Sequence, residues 1–264
     1  MIKKRLFTFG CSHTYYYWPT WANILSLGAD EFYNFGWPGT GDFRILNQVM
    51  RANERFKFGK NDYIGIGMSC NHRYDTIDKR GRTWVGLGGM ADEKYHKVRF
   101  IKELNELGGN ENKLTIVKSI KKILNDTDAN YKIFQGFKNI RGVSEQEQKI
   151  SDELTEECTI KQSLYDYSYP YGRRGTYKID NVEDGHYIIP IHLDLVKGEF
   201  GKWYDSKHDN VVMDWHKQVP KYKKDLEKVF HWLRFKQYAM IGSELRNPQY
   251  DGCLLYTSPS PRDS

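Results

Sequence analysis

FTFGCSHT, Phe7 to Thr14, joins a short apolar run to a glycine and then to three side chains capable of chemistry: Cys11, Ser12 and His13. Such a run, closed by glycine, reads as a buried strand over Leu6–Phe9 that turns at Gly10. The chain beyond it keeps alternating. WPTWANILSLG (Trp18–Gly28) reads as a helix with Pro19 in its first turn and Trp21, Ile24 and Leu25 on one face. Glu31–Gly36 is a second strand. The helix after it has Asp42 as its cap and Phe43, Leu46, Val49 and Met50 at helical spacing. DYIGIGMS (Asp62–Ser69) is apolar on both faces, as a central parallel strand should be. Two helices are expected next, Val98–Leu107, closed by Gly108-Gly109, and Leu114–Leu124. A fourth strand over Tyr131–Phe137 follows, and then a capping box, Ser144 to Glu147, opening a helix towards Cys158. Strands alternating with helices predict an α/β fold, a three-layer α/β/α sandwich around a central parallel sheet.

The alternation lapses between about Thr159 and Val212, a Tyr-rich stretch expected to be an insertion or lid, because so long a structureless loop is unusual inside a domain. A helix with Pro220 in its first turn follows. GLGGM (Gly86–Met90) lacks the Lys-Ser/Thr of a phosphate loop and reads as a flexible segment. A single domain over residues 1–252 is expected. The ending CLLYTSPSPRDS, residues 253–264, resembles translated sequencing adapter and is left out of fold reasoning, so the natural C-terminus is expected to be missing.

The totals bound the function. With 28% charged and 39% hydrophobic residues the balance is that of an ordinary folded protein. The net charge of +6 has no dense Lys/Arg block, which does not favour nucleic acid as a partner. No stretch has membrane-spanning length and the charged start is not a signal peptide, so a cytoplasmic (host-cell) or virion-associated protein is expected. Scattered cysteines suit reduced thiols. No H-E-x-x-H or paired-Cys spacing exists, so no metal or other cofactor is expected.

In open α/β sheets, ligands sit at the carboxyl ends of the strands. Here those ends carry Gly10-Cys11-Ser12-His13, the glycine-rich NFGWPGTGD (Asn34–Asp42) and SCNHR (Ser69–Arg73), while MDWH (Met213–His216) stands before the last helix. Acyl transfer needs a hydroxyl, a base to take its proton, a carboxylate to orient that base, and donors for the oxyanion. Ser12, His216 and Asp214 suit the first three roles. Ser12 N–H, Gly39 N–H and the Asn71 amide suit the last. Read in isolation, Ser12 is equally a helix cap, Cys11 a small buried filler or rival nucleophile, and His13 a rim residue.

These four blocks, in this order, resemble the SGNH (GDSL-like) hydrolases, and among them the divergent members common in phage and metagenomic sequence. FTFGCSHT matches the block that holds the nucleophile, with Cys11 in place of the usual Asp. NFGWPGTG matches the second, with Gly39 supplying an oxyanion N–H, and MSCNHR the third, with Asn71. In that third block Ser69 replaces a Gly and His72 an Asp. DWH resembles the family's D-x-x-H, one residue shorter and followed by Lys217 rather than Pro, with Asp209 as a substitute acid. The resemblance implies a flavodoxin-like SGNH fold and a serine esterase acting through Ser12, His216 and Asp214. The substrate it implies is a small ester, plausibly an acyl group on a carbohydrate, which the Tyr-rich insertion suits. The alternative is an SGNH-like binding or virion-associated module without turnover.

Overall fold

The computed structural model describes residues 4–70, 73–77, 84–89, 106–137, 144–179 and 182–221. Four strands form the central sheet in the order β2-β1-β3-β6: β1 (Arg5–Gly10), β2 (Glu31–Asn34), β3 (Asp62–Met68) and β6 (Asn130–Gln135). All three pairings are parallel, with Phe7 level with Tyr33 on one side and with Ile64 on the other. Every connection is therefore a crossover, and the helices cover both faces.

Strand alternation sorts the core into two layers. Phe7, Phe9, Ile64, Ile66 and Ile133 point to one face and pack with buried residues of α2 (Asp42–Phe56), α3 (Glu106–Asn125) and α4 (Glu145–Glu157). Leu6 and Phe134 point to the other. There they meet α1 (Trp21–Ser26), α6 (Ile189–Glu199) and α7 (Asp209–Lys221). The fold is the three-layer α/β/α sandwich expected from the strand–helix order.

The second face depends on missing side chains. Trp21 is wholly buried and packs against the sheet at Gly65, where an added Cβ would stand 2.6 Å from Trp21 Cζ3. Gly65→Ala is expected to cost about 1–3 kcal/mol by overpacking, read as a lower urea midpoint. Gly59→Ala, with nothing within 4 Å of its Cβ position, is the control and is expected to leave the midpoint unchanged.

Several expectations shift in detail. The first helix begins at Trp21, where Thr20 and Asn23 form a capping box, so Pro19 lies before it. Gly41, not Asp42, is the N-cap of α2, and Asp42 enters the first turn. Gly108-Gly109 does not end a helix but lies within α3; most of Val98–Leu107 lies outside the described residues. The Ser144–Glu147 capping box is present. Gly86–Gly89 belongs to β5 (Trp84–Gly89), paired antiparallel with β4 (Arg73–Ile77).

The stretch 159–212 is far from structureless. It holds α5 (Leu164–Ser168), a 3-10 turn (Tyr169–Arg174), the hairpin β7 (Thr176–Ile179) and β8 (Val182–Tyr187), and α6. Ile189, Ile191, Leu195 and Val196 of α6 are buried in the same cluster as Trp21 and Leu25. This stretch builds one wall of the sandwich. Sequence alternation missed it because the first two turns of α6 are apolar on most sides, as in a buried helix. Asp214 and His216 stand inside α7 rather than before it, and Pro220 also lies inside that helix. Residues 222–264, with the adapter-like ending, lie outside the described residues.

Candidate active site

The turn after β1 is held from two directions. Gly10 has φ 153°, and a Cβ there would meet Thr14 Oγ1 at 2.1 Å, so only glycine lets the strand turn this tightly. The N–H groups of Thr14 and Tyr15 both donate to Cys11 O. Thr14 O in turn accepts from Thr20 Oγ1 at 2.8 Å and from Asn34 Nδ2 at 3.1 Å. Asn34 Oδ1 accepts from Gly36 N–H at 2.8 Å, so one buried amide at the end of β2 ties together the first two sequence blocks.

The turn presents Ser12 at the carboxyl edge of the sheet. Its Oγ is buried and has no hydrogen-bond partner among the described residues. The same holds of His13 Nδ1, Thr40 Oγ1, Ser69 Oγ, Gln135 Oε1 and His192 Nδ1. Ser12 and His13 follow β1, Thr40 follows β2, Ser69 follows β3, and Gln135 ends β6. An unpaired buried polar atom costs about 1–3 kcal/mol in a finished core, so their concentration at one edge marks a place built for a polar guest.

A histidine whose ring faces His13, the residue after Ser12, is His186, near the end of β8. His186 Nδ1 lies 2.7 Å from Asp184 Oδ1, which also accepts the His186 backbone N–H at 2.9 Å. Tyr16 OH donates to Asp184 Oδ2 at 2.8 Å, and the Tyr16 ring stacks on His186 with centroids 3.6 Å apart. Burial works to raise the Asp184 pKa, but the bonds from His186 and Tyr16 more than offset it and hold the carboxylate below its usual range. His186 is therefore fixed by a charged acid on one nitrogen and a ring on one face. Its ring centroid is 5.2 Å from that of His13. His13 also stacks on Tyr187 at 5.0 Å and meets Phe137 edge-on at 4.9 Å. The expected rim residue is thus buried, and desolvation pushes its pKa well below the usual value. Desolvation likewise takes His192 down to about 3. Both are neutral at physiological pH. No group of three or more potential ligands among the described residues is arranged to hold a metal ion.

The expected His216–Asp214 pair is arranged differently. Residues two apart on a helix do not face each other, and Asp214 is exposed, bonded to Lys217 Nζ at 3.2 Å. His216 Nδ1 instead meets Tyr177 OH at 2.6 Å. Burial lowers the His216 pKa. Asp209, the substitute acid, is bound to Lys197 and Tyr204. None of these hydrogen bonds joins an acid to His216. Asp184-Gly185-His186 has the same D-x-H spacing as Asp214-Trp215-His216 and stands just before a helix that opens with Ile189-Pro190. That placement was the available signal, and spacing alone did not choose between the two.

Of the other expected residues, Cys11 is buried, as a small filler would be. Gly39 has φ 76° and open space beside its Cα, so its backbone is approachable. Asn71 lies outside the described residues. A surface cleft among Lys4, Gly28, Asp30, Trp203 and His208 lies at the amino end of β1, away from this site.

No family model matches the chain, and no curated protein matches it. Among the solved structures similar to it are the following three. One is protein YXIM from Bacillus subtilis, at 14% identity and TM-score 0.37 over 65% of this chain; the chain spans 46% of that protein. The second is a member of the lipolytic protein G-D-S-L family from Veillonella parvula, at 11% identity and TM-score 0.43, covering 75% of this chain and 98% of that one. The third is a GDSL-like lipase from Bacteroides thetaiotaomicron, at 13% identity and TM-score 0.38, covering 75% of this chain and 86% of that one. The last two bear the family name that the four sequence blocks resemble. No helix among the described residues is long and apolar enough to cross a membrane.

Proposed function

We propose that the protein is a serine ester hydrolase in which Ser12 is the nucleophile, His186 its base and Asp184 the acid that orients His186. The observation that carries this reading is the Asp184–His186 pair, bonded at 2.7 Å, on a ring that contacts the neighbour of Ser12. A carboxylate on Nδ1 leaves Nε2 as the nitrogen that accepts a proton, which is the tautomer a hydroxyl nucleophile requires. Ser12 Oγ attacks the ester carbonyl as its proton passes to Nε2, and the imidazolium so formed protonates the departing alcohol. Water then releases the acid by the same route. Catalytic hydrogen bonds commonly tighten only when substrate binds, which fits a Ser12 hydroxyl without a partner among the described residues. The oxyanion falls to the N–H groups of Ser12 and Gly39, and to Asn71 through its motif.

Aromatic rings support a carbohydrate ester. Trp37, two residues before Gly39, stacks on Tyr15 with centroids 6.3 Å apart, and flat rings of this kind suit sugar faces. The test offers short-chain aryl esters and acetylated sugars to the protein and to Ser12→Ala and Cys11→Ala variants. Hydrolysis is expected to disappear in Ser12→Ala and persist in Cys11→Ala. Turnover that survives Ser12→Ala, or none on any ester by the unaltered protein, rejects the reading in favour of a binding module.

A further inference from the structure

Arg73 stands at the start of β4, just beyond the end of β3, and is tied to both chain neighbours of Ser12. Its guanidinium bonds the Cys11 side chain and lies 5.7 Å from the centre of the Phe137 ring, whose edge meets His13. Its Nη1 is buried and has no hydrogen-bond partner among the described residues. The nearby acids are engaged elsewhere. Asp75 accepts the N–H groups of Gly41 and Arg44, each at 2.8 Å, and so caps α2. Asp42 accepts Ser69 N–H at 2.7 Å and faces Lys113 Nζ at 3.9 Å. No carboxylate among the described residues forms an ion pair with Arg73. Arg73 interacts electrostatically with both acids, Lys113 with Asp42 and Arg44 with Asp75.

We propose that Arg73 is a specificity residue that binds a carboxylate carried by the substrate, so that the preferred ester is one of an acidic alcohol such as a uronic acid. The proposal rests on the reading of Ser12 as nucleophile. A single buried guanidinium nitrogen without a partner among the described residues matches a monoanion better than a phosphate dianion. A charge-assisted bond to a desolvated guanidinium typically contributes about 10- to 100-fold in affinity.

Binding is measured in the Ser12→Ala protein, which separates recognition from turnover. Calorimetry compares glucuronate, methyl glucoside and glucose 6-phosphate, before and after adding Arg73→Gln. Glucuronate is expected to bind at least about 10-fold more tightly than methyl glucoside, weaken with salt, and lose that advantage in Arg73→Gln. Arg73→Lys, which keeps the charge, is expected to keep part of it and serves if the Gln variant does not fold. Three results overturn the proposal: equal binding of acid and neutral sugar (no binding of either included), a glucuronate affinity unchanged by Arg73→Gln, or tighter binding of the phosphate. So does a kcat loss in Arg73→Gln, on a Ser12 background, that is as large for neutral aryl esters, since that would make Arg73 an oxyanion donor. Ester hydrolysis that survives Ser12→Ala is a separate result and rejects the nucleophile, not the carboxylate site.

Discussion

His186→Ala is expected to remove ester hydrolysis almost as completely as Ser12→Ala does, and the double variant is expected to be little worse than either. Nucleophile and base act as one unit, so removing either leaves only binding and the oxyanion donors, and losses of roughly 10⁵–10⁶ in kcat are of the right order. His216→Ala is the informative companion. His216 is bonded to Tyr177, which packs edge-on against Trp18 at 4.9 Å, whereas the ring of His186 faces His13 in the turn. Its removal is expected to lower melting temperature while leaving kcat within roughly threefold, since a lost buried hydrogen bond costs about 1–3 kcal/mol of stability. Initial rates on an aryl acetate decide the matter: a large loss in His216→Ala beside a small one in His186→Ala would reverse the assignment.

Asp184→Asn is expected to lower kcat by about 10⁴ while leaving the fold in place, because an amide on Nδ1 favours the wrong tautomer of the base. KM is expected to change little. Tyr16→Phe removes one bond to the same carboxylate but keeps the ring that stacks on His186. Its effect should be smaller and in the same direction, and a Tyr16→Phe variant slower than Asp184→Asn would show that the hydroxyl, not the acid, controls the base. Asp214→Asn is expected to be neutral, since Asp214 is exposed and meets only Lys217 among the described residues.

The sheet was legible because its strands are short apolar runs with glycine or polar stops, and the four predicted strands are the four observed, each within about two residues. Local chemistry carried the capping box at Ser144 as well. Residues 159–212 were read only as an insertion or lid, and their elements went unseen for a physical reason. Burial of most of its first two turns, Ile189 to Val196, blurs the helical period of α6, and the β7–β8 hairpin is too short to show alternation. The site suffered from the same blind spot. Ser12 and Gly39 were readable at strand ends, whereas the choice between two D-x-H triplets depends on which one the chain folds back onto the turn after β1. Only packing shows that Tyr16 and His13 flank His186. Arg73 carried no sequence signal at all, because its meaning comes from the charges and the ring around it.

The most direct test of the central claim is covalent labelling with an aryl fluorophosphonate followed by peptide mass spectrometry. One adduct is expected, on Ser12, absent in Ser12→Ala, slowed by several orders of magnitude in His186→Ala and formed at nearly the original rate in His216→Ala. An adduct on any other residue, or labelling that depends on His216 and not on His186, would contradict the account.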